Sequence, residues 1–316
     1  VDGWSFGIRP EIIQKNVNKA KKHGAEVVVL LSHNGFDVDQ KLASILNDVD
    51  VILTGHTHDA IPRAIKIKNT LLLSSGSHGK YLGRIDLKID NGKVVDFSSN
   101  LIPIFSDVIQ PDPEMTKLID KIREPYEEEC NRVVGKAETL LYRRGNFGGP
   151  WDSVICDAII QERDTEISLS PGFRWGTTLL PGQKITIDDI YSQTSMNYPE
   201  VYRSEMNGET IKNLLEDVCD NIFNPDPFFQ QGGDMVRVGG MTYTCQPKNT
   251  MGNRISDLKL SNGEKIESQK NYTIGGWGSI NPEVEGPTIY KILEEYVSGK
   301  KIIKPKNKNP VKIKGI

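Results

Sequence analysis

Two loops that carry imidazoles, each placed directly after a short apolar run, constrain this chain more than any other feature. Residues 26–31 read Glu-Val-Val-Val-Leu-Leu and lead into Ser32-His33-Asn34-Gly35. Residues 51–54 read Val-Ile-Leu-Thr and lead into Gly55-His56-Thr57-His58-Asp59. Short apolar runs rich in β-branched residues, ended by turn residues, read as buried strands. The chain has 5 histidines, and His33, His56 and His58 all fall in these two loops. Neutral imidazole is the commonest side-chain ligand for a transition metal. Two neighbouring strand ends that bring three imidazoles to one rim therefore point to a metal site. The i, i+2 spacing of His56 and His58 lets the two rings face adjacent ions instead of chelating one.

The surrounding pattern is α/β. Pro10 stands where a first helical turn begins and Gly24 where that helix ends, so residues 11–23 read as an amphipathic helix. A second helix is predicted over 38–46, between the two strands. In such sheets, sites gather outside the carboxyl ends of the strands, where the three histidines fall. Residues 63–68, 70–74, 81–89 and 93–104 read as further strands, and Asn91-Gly92 marks a hairpin. Pro111-Asp112-Pro113 closes a first domain spanning 1–110. Residues 111–132 read as a charged helical connector, broken at Pro125. A second domain spans 133–316. It has helices over 151–162, 208–218 and 287–297, and strands over 166–170, 235–244, 254–260 and 272–275. A mixed region includes 185–190, and Ser261-Asn262-Gly263 marks a turn. The Lys-rich tail over 300–314 reads as a solvated extension.

Length and charge narrow the function classes. A chain of 316 residues is long enough for two domains, each with its own core. A net charge of −3 gives no reason to expect nucleic acid or an anionic membrane as partner. No apolar run approaches the roughly 20 residues that span a bilayer. No secretory leader is visible, but the sequence starts at Val1 without Met, and its first α/β unit lacks preceding strands. An upstream segment is therefore expected. Cys130, Cys156, Cys219 and Cys245 form no CxxC pair; their even number permits disulfides, and buried free thiols are the expected reading.

Outside the histidine loops, Arg174 is the strongest candidate for an anion contact. It sits in Pro171-Gly172-Phe173-Arg174-Trp175-Gly176, just after a strand, and a guanidinium fork matches a tetrahedral oxyanion at two points. Trp175 could wall the same pocket or serve the core. Gly232, Gly233 and Asp234 form a second candidate substrate loop beside Phe228-Phe229. Gly275, Gly276 and Gly278 form a third glycine-rich region. Glycine permits close backbone approach, which suits a narrow channel or an ordinary turn. His78 could line the site, with a hydrogen bond within its own turn the expected role, and Asp59 is expected to orient an imidazole. His23 is expected to sit at a helix C-terminus without a functional role.

These motifs resemble a known family. The order Ser32-His33-Asn34-Gly35, then Gly55-His56-Thr57-His58, then Ser75-Gly76-Ser77-His78-Gly79 resembles the 5′-nucleotidase superfamily of calcineurin-like metallophosphoesterases. The resemblance runs across essentially the whole chain. Within the superfamily it is most similar to the SoxB sulfohydrolase group. That likeness is carried by the strings at 4–9, 31–39, 144–147, 170–176 and 232–237. The resemblance implies an α/β (α+β) protein: the C-terminal part of a metallophosphoesterase-type sandwich, then a 5′-nucleotidase-type C-terminal substrate domain. It implies a dinuclear manganese site, with His33 and His56 on one ion and His58 on the other. Arg174 would take the place of the substrate-loop arginine. The implied reaction is hydrolytic release of sulfate from a cysteine S-thiosulfonate on the SoxYZ carrier, in the periplasm, by a monomer. The family's Asp-x-His pair, bridging Asp and Asn-His pair do not occur before His33, so this sequence carries about half of the expected ligand set, and weak or absent dinuclear binding is expected of it. Two other readings stand beside this one: a 5′-nucleotidase or related phosphoesterase, and an inactive fragment that only binds the carrier.

Overall fold

A computed structural model describes residues 3, 6–195, 197–279, 281, 283–305 and 309–315. Trp4 and Ser5 of the first motif string lie outside the described residues. The chain divides into two compact units. One comprises Val1–Leu118 and Asn224–Gly232, the other Ile119–Phe223 and Gly233–Ile316. The division falls inside a helix, and Asn224–Gly232 leaves the second unit to join the first. A sequence division at 110–133 contains neither feature.

In the first unit, α1 (Pro10–Lys22) precedes β1 (Val29–Ser32), α2 (Phe36–Ile45) and β2 (Val51–Thr54). Then follow β3 (Ile65–Ile67), β4 (Thr70–Ser74), β5 (Tyr81–Asp90) and β6 (Lys93–Pro103). The sheet order is β1-β2-β4-β3. β1, β2 and β4 are parallel and in step, ending together at Ser32, Thr54 and Ser74. The α2 crossover makes the first parallel pair possible. Val38, Leu42 and Ala43 of α2 pack with Val17, Ile52 and Leu72 to form the core. Each such aliphatic side chain contributes roughly 1.5–3 kcal/mol by leaving water. Residues 26–31 read as a buried strand, yet Val29 and Leu31 of β1 are exposed: they share one face of the strand, while Val28 and Leu30 on the other face pack against the core. β5 and β6 pair as an antiparallel hairpin. Asn91 and Gly92 both have positive φ at its turn, as the sequence anticipates.

After α3 (Pro113–Arg123), a 3-10 turn at Glu124–Tyr126 carries Pro125, and α4 (Glu127–Cys130) resumes the helix. The second unit continues with β7 (Val133–Ala137), α5 (Pro150–Arg163), β8 (Ile167–Ser170), β9 (Lys184–Thr186) and α6 (Ile187–Thr194). Next come β10 (Val201–Asn207), α7 (Gly208–Phe223), β11 (Arg237–Gly239) and β12 (Met241–Cys245). β13 (Ile255–Leu260), β14 (Asn271–Trp277), α8 (Ile289–Lys300), β15 (Ile302–Ile303) and β16 (Val311–Ile313) complete it. The main sheet has the order β10-β14-β8-β11. Trp151, Ile155 and Ile159 of α5 pack with Ile292 and Leu293 of α8. Ile211 and Leu215 of α7 pack with Tyr243, Ile255 and Ile274 in a second cluster. Among the described residues, no helix is long and apolar enough to cross a membrane.

Three sequence expectations are corrected here. The single strand expected over 235–244 is two strands in two different sheets. Gly240 separates them at φ 73°, and a Cβ there would lie 2.0 Å from the Glu166 carbonyl oxygen. The sequence places β10 only in a mixed region; it is an edge strand whose Arg203 and Glu205 face solvent, so its apolar signal is weak. The tail is not a solvated extension. Ile303 and Val311 are buried, β15 pairs with β7, and β16 adds to β12. Composition hid this because the apolar pairs are only two or three residues long. Val311→Asp would place an uncompensated carboxylate in that core, so a loss of about 3 kcal/mol or more is expected in urea unfolding.

Candidate functional site

Because β1, β2 and β4 end in step, the loops that follow them open on one rim of the sheet. Those loops carry His33, then His56 and His58, then His78. The His33 and His56 rings meet edge to face at 5.2 Å between centroids. The His58 and His78 rings meet in the same way at 5.9 Å. The three imidazoles singled out by the sequence are thus brought to one rim but divided between two pairs. His78, for which the sequence leaves open lining the site or a turn hydrogen bond, is the ring partner of His58. His56, His58 and His78 all have positive φ, at 79°, 59° and 59°. Non-glycine residues adopt this conformation uncommonly, and such residues cluster where a loop has a task beyond connection.

A buried carboxylate ties the first loop down. The Ser32 hydroxyl donates to Asp39 Oδ1 at 2.7 Å, and the Asn34 side-chain amide donates to Ser32 Oγ at 3.0 Å. Asp39 is fully buried. Burial raises its pKa, while donors from Thr54, Ser32 and Asn34 pull it back. The second loop is locked to the first, since the Phe36 amide donates to Thr57 Oγ1 at 3.2 Å. Sequence reasoning gives Asp39 no role, because an acidic residue in a first helical turn reads as a partner of the helix dipole. Asp59 anchors the end of this loop through its backbone. Its carbonyl accepts from Ser74 and Gly76, and its charge raises the pKa of half-buried Asp37, after burial itself.

The returning segment Asn224–Gly232 completes this rim. Phe228 packs against the core of the first unit, Lys41 pairs with Asp226 at 2.5 Å, and the same ammonium lies 4.0 Å from the Phe228 ring centroid. These contacts deliver the Gln231 carbonyl oxygen to His56 Nε2 at 3.0 Å. A carbonyl only accepts, so in the neutral ring Nε2 carries the proton and Nδ1 keeps the lone pair. The sequence makes Gly232 a substrate-loop candidate; the structure places it against His56. A Cβ at this position would lie 2.3 Å from His56 Nε2, at φ 72°. Gly232→Ala is therefore expected to cost about 1–3 kcal/mol in urea unfolding and to shift the His56 ring resonances in NMR.

The manganese implied by the family needs three or more donors around each ion. Among the described residues, no group of three His, Cys, Asp or Glu side chains is arranged to hold a metal ion. The imidazole pairs suit the donor chemistry of such an ion, but they do not form a full ligand set by themselves.

The other sequence candidates lie in the second unit, in a chain of alternating charges. Arg143 Nε donates to Asp152 Oδ1 at 2.8 Å, and Asp152 Oδ2 accepts from the Gly149 amide at the start of α5. Arg237 Nε lies 3.5 Å from Asp152 Oδ2, and Arg237 Nη2 donates to Asp234 Oδ2 at 2.8 Å. Arg174 Nη2 lies 3.5 Å from Asp234 Oδ1. Burial raises the Asp234 pKa, and Arg237 and Arg174 counter it. Burial lowers that of Arg143, and Asp152 counters it. The Arg174 side chain is 15% exposed, and the other four are 4% or less. Arg174 is the member that reaches solvent. Asp234, a substrate contact in the sequence reading, is buried between two arginines and positions them. Removing one partner of a buried pair leaves an uncompensated charge. Asp234→Ala is expected to lower stability by about 3–5 kcal/mol in urea unfolding.

Trp175 stacks on Phe173 with centroids 3.8 Å apart, and Trp277 meets Phe173 edge to face at 5.9 Å. Gly275 and Gly276 lie in β14, and added Cβ atoms would meet Ile159 and the Tyr202 hydroxyl at 2.6 and 2.3 Å. At these two glycines the missing side chain allows close packing inside the unit. Arg143, Asp152 and Arg237 escape the sequence reading as functional residues. The one available signal is charge within otherwise apolar elements, as in Val236-Arg237-Val238.

Comparison with known proteins agrees with this architecture. The model of the family described as 5′-nucleotidase, C-terminal domain, matches residues 133–280. A solved Thermus thermophilus sulfate thiohydrolase SoxB superposes with a TM-score of 0.94 at 33% identity, covering 100% of this chain and 60% of the other. Residues 133–280 are a 5′-nucleotidase C-terminal domain. A 5′-nucleotidase precursor, also from Thermus thermophilus, shares the fold at a TM-score of 0.80 and 18% identity, covering 98% of this chain and 68% of the other. Among curated relatives, the trifunctional nucleotide phosphoesterase protein YfkN of Bacillus subtilis is 26% identical over 253 residues. That match covers 76% of this chain and 17% of YfkN. The 5′-nucleotidase of Diplobatis ommata is 26% identical over 176 residues, covering 48% of this chain and 30% of the relative. The chain thus spans less than a third of the length of these two curated relatives. The expected fold class, a metallophosphoesterase-type part followed by a 5′-nucleotidase-type domain, agrees with these neighbours.

Proposed function

We propose that this chain is the greater part of a SoxB-type sulfohydrolase, which releases sulfate by hydrolysis from a cysteine S-thiosulfonate on the SoxYZ carrier. The observation that carries this reading is the superposition of this chain on 60% of a sulfate thiohydrolase SoxB at 33% identity. At the coarser level, the nucleotidase and phosphoesterase relatives support a hydrolase. Arg174 supports an anionic substrate group. It stands at the least buried end of a series of alternating charges, where a sulfuryl group would be met by a guanidinium fork. The stacked Phe173 and Trp175 fit the thiosulfonate reading better than the nucleotidase one, because rings in mutual contact leave no slot for a base between them. Periplasmic location, manganese, a monomeric state and the absence of nucleic-acid or membrane partners belong to the same proposal. When bound, a manganese pair would supply a hydroxide nucleophile near neutral pH. This chain's own part is to present the imidazoles of His33, His56, His58 and His78 and to hold the substrate anion with Arg174.

Sulfate release from a thiosulfonated SoxYZ carrier, followed by ion chromatography with manganese present, tests the proposal. Arg174→Ala is expected to lower that rate about 100-fold or more, while thermal stability changes little because Asp234 keeps Arg237. Turnover of AMP without sulfate release would replace this reading by the 5′-nucleotidase one. Binding of the carrier without turnover of either substrate would favour the inactive fragment.

A further inference from the structure

Cys219 lies on α7 and Cys245 at the end of β12, 26 positions apart in sequence. Both are fully buried in one apolar cluster with Leu215, Tyr243 and Ile255. Their sulfur atoms face one another at 3.6 Å, and both thiols are free. No other pair of this chain's cysteines shares such a contact among the described residues. Two free thiols in van der Waals contact on two different elements need only a small shift of their side chains to bond. From this geometry we infer that Cys219 and Cys245 are a redox pair, which closes into a disulfide joining α7 to β12 when the chain meets a thiol-oxidising environment.

The chemistry balances with a small disulfide such as oxidised glutathione as oxidant. A Cys245 thiolate attacks one sulfur of the oxidant and releases one glutathione thiolate. The Cys219 thiolate then attacks the Cys245 sulfur of the mixed disulfide and releases the second. Two protein thiols lose two electrons and two protons, and one glutathione disulfide becomes two glutathione thiols. Either cysteine can take the first role, because either S–H can donate to the other sulfur and the pair is equally buried. Burial restricts attack to the folding chain or to local opening of α7. The 25 residues between the cysteines include Asn224–Gly232, the segment that leaves for the first unit and presents Gln231 to His56. A bridge would therefore close a loop around that excursion and fasten both of its roots.

The chain is to be produced by export into an oxidising compartment and, in parallel, incubated folded with oxidised glutathione. Each sample is unfolded, alkylated without reductant and digested. A Cys219–Cys245 linked peptide is expected, with Cys130 and Cys156 alkylated. Cys156 serves as the internal control, since burial pushes its pKa up to about 12. Cys219→Ser, treated alike, is expected to leave Cys245 alkylated or carrying one glutathione, with no linked peptide. Four alkylated cysteines in both wild-type samples, or a linkage involving Cys130 or Cys156, would overturn the inference.

Discussion

The parallel register of β1, β2 and β4 is the constraint on which the first unit's chemistry depends. Parallel strands joined by crossovers all end on the same side of the sheet, and here Ser32, Thr54 and Ser74 are neighbours across it. Any residue one or two positions beyond those ends is committed to the same rim. Four of the five histidines occupy such loops. A register slip of one residue would reverse the facing of every side chain in β2 and uncouple the loops. Core packing of Leu42, Ile52 and Leu72 holds that register, so the apolar side of the sheet fixes what the polar rim can present.

The second unit solves a different electrostatic problem. Burying Arg143, Asp152, Arg237 and Asp234 costs desolvation energy that isolated charges could not recover. Alternation of sign along the series, with hydrogen bonds at 2.8 Å in two of its links, offsets that cost. Asp152 also accepts from the backbone at the start of α5, which joins helix geometry to the charge series. The result is a guanidinium at Arg174 held beside Asp234, at the least buried end of the series.

The segment Asn224–Gly232 shows how one excursion of chain can shape a residue far from it in sequence. Phe228 supplies apolar anchorage, Asp226 supplies a charge for Lys41, and Gln231 supplies a carbonyl that fixes the proton on His56. The absence of a side chain at position 232 lets the backbone approach that ring. Local sequence gives no hint of this, since Gln-Gly-Gly reads as an ordinary flexible turn.

Much of the fold was legible locally. Helix limits followed from Pro10, Gly24 and Pro125, and the β5–β6 hairpin from Asn91-Gly92, because proline and glycine act on their own backbone. The strand-then-histidine order at 33, 56 and 58 was likewise readable, because a strand end and the next residue are covalent neighbours. Tertiary structure alone decided which histidines pair, that Asp234 faces two arginines, that Gly232 lies against His56, and that the tail adds strands to two sheets. Each of these depends on groups separated by tens of residues or more being brought within bonding distance, and no periodicity encodes that. The sequence by itself determined which side chains are available at each turn and strand end. Long-range packing decided which of them meet.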